Sequence, residues 1–383
     1  MLVRSGILVF LILAFGLAGC GGSEAEISPA PAEHDRADLG LGPGVRAITT
    51  GPGDKGSPNL DASGERLAYV VDGYVVQKDL AAGTTERRTT RDFGAGAVDW
   101  TLSGGDLTIP SIKDSEDRYT LYRTSGARDL EVEPISEDVL FVDRVPGGAD
   151  LLAAFADGSE STLARLTETG EIESLYTGAV SGRITGFSLS PSGDRAVVAA
   201  RQEESFALFV FDLLEGTARR VAQTDSGKEI LGVPQWTKHG IRYVAGESEA
   251  SGETPVYDLY RLPASGRTEA KIVSDIGEDF IPANIQVSPD GEILAVLGRR
   301  SLNSPANLYL LDLASGDLWA ATSNENMEIK TSPDDLSWSA DGESVLLVAR
   351  AVPSEIAVRQ APADNLTTDF HNVYKVSVEG SEE

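Results

Sequence analysis

Ile285-Gln286-Val287-Ser288-Pro289-Asp290-Gly291 is the stretch on which the fold turns, and it does not stand alone. Phe187-Ser188-Leu189-Ser190-Pro191-Ser192-Gly193 repeats its pattern, and each copy runs into an apolar strand, residues 293–297 and 196–200. Weaker copies reach Gly64, Gly104, Gly240 and Gly342, and a degenerate one surrounds Pro146-Gly147-Gly148. The seven glycines lie 40, 44, 45, 47, 51 and 51 residues apart. A period of that length matches one four-stranded unit of a radial β-architecture. The sequence therefore predicts an all-β chain, a single β-propeller of seven four-stranded blades.

Each unit explains its own turns. Proline after the first strand sets φ and removes an N–H that the turn does not need. Asp290-Gly291, Ala62-Ser63-Gly64 and Asp341-Gly342 supply the positive φ of a tight hairpin. The third strand ends in pairs such as Asp79-Leu80, Asp212-Leu213, Arg261-Leu262 and Asp312-Leu313, and a second glycine (83, 170, 216, 266, 316) opens the outermost strand. Trp100, Trp236 and Trp338 stand four positions before the turn glycine, where other units carry Leu60, Leu189 and Val287. That register assigns the tryptophans to packing between blades rather than to a ligand cage. The remaining inner-strand residues, nearest the axis, are expected to be apolar or small.

Ser-Pro-Asp-Gly at 288–291 and its relatives resemble the PD40, or TolB-like, branch of WD40-type repeats, over residues 45–378. The Gly-His…Trp-Asp signature of standard WD40 blades is missing, and no α/β domain precedes the blades as it does in TolB. The last unit offers three strands, near 336–339, 345–349 and 373–378. Val45-Arg46-Ala47-Ile48-Thr49-Thr50 has no unit of its own. It is expected to supply the missing outer strand and close the ring, hiding two sheet edges.

Residues 1–19 read as a secretory signal, with Arg4 as the only charge and an apolar run over 7–18. Leu17-Ala18-Gly19-Cys20 resembles the lipobox of bacterial lipoproteins, and Cys20 is the only cysteine of the chain. The resemblance implies cleavage before Cys20, acylation of its sulfur and attachment to a membrane on the extracytoplasmic side, cell membrane or outer membrane. Acyl chains contribute ~0.8 kcal/mol per buried methylene, so two or three of them anchor firmly. Residues 20–44, rich in Gly, Pro and acid, read as a flexible tether, leaving 45–383 as the propeller domain.

Sixty acids against 32 bases give a net charge of −28, a surface that repels nucleic acid. Histidine occurs three times, at 34, 239 and 371, and no Gly-x-Ser-x-Gly elbow is present. The acid groups Asp114, Glu116, Asp117 and Glu247, Glu249, Glu253 lack EF-hand spacing. No catalytic residue, metal or cofactor is expected. The favoured function is a non-catalytic interaction module, monomeric, binding an envelope protein, peptide or glycan. The alternative is a lactonase- or lyase-like enzyme using the axial cavity. Loops on the face where inner strands begin lengthen toward the carboxyl end, and they carry Phe280, Met327, Phe370 and His371 beside Arg299, Arg300 and Arg359. Aromatic and arginine side chains on loops held by a rigid scaffold are the expected binding residues.

Overall fold

The computed structural model describes residues 44–91, 93–100, 107–112, 119–124, 132–146, 148, 150–157, 160–167, 169–176, 180–247, 256–263, 265, 270–273, 276, 281–301, 304–322, 327–351 and 370–378. Residues 1–43, including the signal segment, Cys20 and nearly all of the tether, lie outside them. The described residues are almost wholly strand and turn, and none of their helices is long and apolar enough to cross a membrane.

The chain enters through β1 (Val45–Ala47) and builds a first antiparallel sheet from β2 (Lys55–Leu60), β3 (Arg66–Val71), β4 (Tyr74–Asp79) and β5 (Thr85–Arg87). Next come β6 (Asp99–Trp100), β7 (Leu107–Ile112), β8 (Tyr119–Thr124), β9 (Val132–Arg144), β10 (Leu151–Asp157), β11 (Glu160–Leu166) and β12 (Ile172–Tyr176). Three four-stranded meanders follow: β13 (Arg183–Leu189) to β16 (Thr217–Gln223), β17 (Lys228–Thr237) to β20 (Ala270–Val273), and β21 (Ile281–Val287) to β24 (Leu318–Ala320). Within these lie β14 (Arg195–Arg201), β15 (Phe206–Asp212), β18 (Gly240–Glu247), β19 (Tyr257–Leu262), β22 (Ile293–Arg299) and β23 (Ala306–Asp312). The last sheet holds β25 (Met327–Ile329), β26 (Leu336–Trp338), β27 (Ser344–Ala351), β28 (Asn372–Ser377) and β1.

This is a β-propeller arrangement of six sheets, which corrects the expectation of seven separate blades. The reason is β9. Its 13 residues pair with β8 through the first part and with β10 through the second, Val139 facing both Tyr119 and Phe155. The units around Gly104 and Gly148 thereby share one strand and fuse into a seven-stranded sheet. At the ends of the chain, β1 lies antiparallel to β28, with Val45 opposite Val376 and Ala47 opposite Tyr374.

The turn motif works as a side-chain staple. Ser288 is buried, and its Oγ donates to Asp290 Oδ1 at 2.5 Å while accepting the Ile293 N–H at 3.0 Å. Asp290 accepts the Glu292 N–H, and Gly291, at φ +77, donates to the Ser288 carbonyl. Ser190 with Asp194, and Ser339 with Asp341, repeat the device. A reverse turn thus satisfies its own polar groups without using water.

Second strands are buried on both faces, because alternate residues meet the two neighbouring sheets. Val198 packs with Leu152 and Leu163 on one side, whereas Val197 packs with Ile241 and Tyr243 on the other. Each such side chain contributes roughly 1.5–3 kcal/mol on burial. Trp236 and Trp338 flank these clusters, and the Trp338 Nε1–H donates to the Gln286 carbonyl at 3.1 Å.

Candidate functional site

A cluster of charged side chains sits where β2 begins, against the last sheet. Residues 51–53 turn with positive φ at Gly51 and Gly53, and this folds their carbonyls onto the following lysine. The Lys55 ammonium donates to the carbonyls of Gly51 (2.5 Å), Pro52 (3.1 Å) and Gly53 (2.6 Å) and lies 5.9 Å from the centre of the Phe370 ring. Burial lowers its pKa to about 8, opposed by Asp72 and Asp54. All three donors are engaged, so Lys55 serves as a structural cation and not as a nucleophile.

Asp54 orients His371. Its Oδ1 accepts the His371 backbone N–H and meets Nδ1, both at 3.0 Å, and the bond from the backbone N–H holds the Asp54 carboxyl below its usual range. Beneath them Asp335 is buried and accepts the Ser57 N–H at 3.2 Å. Burial raises its pKa, against the pull of Ser57, Lys330 and His371. The Lys330 ammonium donates to the Lys55 carbonyl at 2.9 Å. An oriented imidazole, a buried acid inclined to keep its proton and an aromatic edge make a surface fit for hydrogen-bonding recognition.

The axis is more polar than expected. The residue five positions before each turn glycine is Asn59, Asp99, Asp143, Ser188, Gln235, Gln286 or Ser337, and none of them is apolar. Each of these residues is at least partly exposed, and together they form a girdle that links sheet to sheet. Asn59 donates to Asp99 at 2.9 Å, Ser188 Oγ accepts the Trp236 N–H at 2.7 Å, and Gln235 Oε1 accepts the Val287 N–H. Gln286 donates to the Leu336 carbonyl at 2.7 Å and Ser337 to the Pro58 carbonyl at 2.6 Å. Although Asp143 keeps part of its surface exposed, the protein packed around its carboxyl raises it to about 7, opposed by the Arg144 N–H and reinforced by Asp99. The expectation of an apolar or small lining fails because inner-strand side chains next to the axis bond to the neighbouring strand's backbone.

Of the residues singled out in the sequence, Phe370 and His371 are brought together with Lys55 and Asp54. Phe370 is 37% exposed. Arg300 is exposed; Arg299 is half-buried, its Nε shielded and without a partner among the described residues. Both stand at the end of β22 opposite the start of β21, hence on the same face of the propeller as the Lys55 cluster. Met327 opens β25, its backbone opposite Ala351. Cys20, Phe280, Arg359, the acids 114, 116 and 117, and Glu249 and Glu253 lie outside the described residues. No group of three or more His, Cys, Asp or Glu side chains that could share a metal ion occurs among the described residues. The roles of Asp54, Lys55, Lys330 and Asp335 have no signature in the sequence. Gly51-Pro52-Gly53 was the only local signal, and it indicates a turn without naming what the turn encloses.

No protein-family model and no curated protein matches the chain. Among solved structures it is similar to the Cps50 (Swd1) β-propeller domain of Myceliophteria thermophila, at 16% identity and a TM-score of 0.58, over 87% of this chain and 99% of that one. An oligogalacturonate lyase in complex with manganese is similar at 13% identity and a TM-score of 0.61, over 87% and 92% of the two chains. A TolB-type protein from Agrobacterium tumefaciens gives 17% identity, 81% and 94% coverage and a TM-score of 0.44. The likeness to the first two is one of fold, a β-propeller, as the Ser-Pro-Asp-Gly repeat implied.

Proposed function

We propose that this chain is a lipoprotein, held at a bacterial envelope membrane through Cys20, whose propeller is a non-catalytic binding module for a protein, peptide or glycan. Its ring is closed by its own first strand, with Ser337 bonded to Pro58 and Asp335 to Ser57 across the seam. The observation that carries the reading is the contrast between the two faces. One has short turns that satisfy their own hydrogen bonds, which leaves little to offer a partner. The other presents Asp54, Phe370 and His371 beside the ends of β22 and β27, with Arg300 exposed.

A photo-crosslinking residue placed at Arg300 or Phe370 on the tethered protein should capture the partner, and one placed at Ser63 or Ser315 on the hairpin face should not. Capture from the hairpin positions alone would overturn the assignment of the face. The enzymatic reading draws on one feature, the imidazole of His371 oriented by Asp54. It requires turnover of an oligogalacturonide or lactone that His371→Ala abolishes while Tm holds; the binding-module reading expects no turnover by either protein.

A further inference from the structure

Arg242 occupies a position that the rest of the fold reserves for uncharged side chains. The residue paired with each girdle position on the adjacent second strand is Ala68, Thr108, Leu152, Val197, Arg242, Ala295 or Leu346. All seven are buried, and six are aliphatic or threonine. The seventh is an arginine, with only 5% of its residue surface exposed. Its partner on β19 is Arg261, another cation, and no carboxylate acts on Arg242 among the described residues. Nε and Nη1 are shielded from solvent and have no hydrogen-bond partner among the described residues.

A guanidinium cannot shed its proton to escape burial as a lysine can. Buried charge without a counter-charge costs several kcal/mol, and each orphaned N–H adds to that. Arg242 lines a small cavity of about 10 Å³, room for one water-sized body, with Val233, Gln235, Val244, Leu259 and Ile285. Gln235 and Gln286, both of the girdle, also line it, so the cavity abuts the axis. Because the Gln235 Oε1 is taken by the Val287 N–H, its NH₂ group is left for an acceptor.

We propose that this cavity is a binding site for one small monovalent anion of halide size, held by the Arg242 guanidinium and assisted by the Gln235 amide. Apolar walls suit an ion that dehydrates easily, and a cavity this small excludes sulfate bearing its water. The anion replaces the carboxylate that a buried arginine would ordinarily require, and it couples the stability of the β17–β20 sheet to halide concentration.

The test compares thermal unfolding in sodium chloride, sodium bromide and sodium gluconate at equal ionic strength. Wild-type Tm should rise with either halide and continue to rise logarithmically above the dissociation constant, and gluconate should not reproduce the shift. Arg242→Met should lose the halide dependence and melt in gluconate no lower than the wild type. A wild-type crystal grown in bromide should show anomalous density beside Arg242, which does not depend on any variant folding. Equal halide responses in wild type and Arg242→Met, or bromide crystals without an anomalous peak there, would overturn the site.

Discussion

At Gly240 the backbone has φ +106, and a Cβ would stand 2.5 Å from the Leu262 carbonyl oxygen. At Gly316, φ +80, a Cβ would meet nothing within 4 Å. Both glycines close hairpins, yet only the first is hemmed in by backbone. Gly240→Ala should therefore destabilise by about 2–4 kcal/mol and Gly316→Asn by less than about 1 kcal/mol, read from urea unfolding. Asp143 gives a second residue-scale prediction. Its pKa is raised to about 7 by burial, so the folded state binds more protons than the unfolded chain between the ordinary carboxylate range and neutrality. That contribution is present at acid pH and is lost as pH rises from about 4 to 7. Asp143→Asn keeps an acceptor for the Arg144 N–H without the charge, and its Tm relative to wild type should climb over the same interval. A flat difference would show that Asp143 is not held protonated.

Among the strands, β1 and β9 show how position outweighs local pattern. β1 is three residues long and marginal by itself, yet Val45 and Ala47 pack on the last sheet's core and Ile48 on the neighbouring cluster. Deleting residues 44–50 should lower Tm by roughly 5 °C and leave the β28 edge unpaired, seen as faster amide exchange over 373–377. Unchanged exchange there would mean that β1 contributes nothing to the sheet. β9 accounts for the one miscount. Glycines at 104 and 148 predict two separate units, but whether two units separate depends on the strand between them. Asp138 takes φ +57 within β9, which lets a single strand turn its pairing from β8 to β10 without breaking. No periodicity announces that.

For the whole molecule, the proposed anchor is open to direct measurement. If Cys20 is acylated, Cys20→Ser should move the protein from the membrane to the soluble fraction with Tm unchanged. Sedimentation with membranes at the same yield after the substitution would refute lipid anchoring. The repeat, its hairpin chemistry, the tryptophan register and the pairing of the chain's two ends were all legible in the sequence. They rest on local properties: positive φ at glycine, the staple from Ser288 to Asp290, and a strand left without a unit. The candidate site was legible only at Phe370 and His371. Tertiary structure alone decided that His371 finds Asp54 across 317 residues and that Asp335 meets Ser57 across 278. It also decided that Arg242 lies in the core and that polar side chains ring the axis. Those outcomes depend on which residues strand register brings opposite one another, and register emerges only when the sheets are packed together.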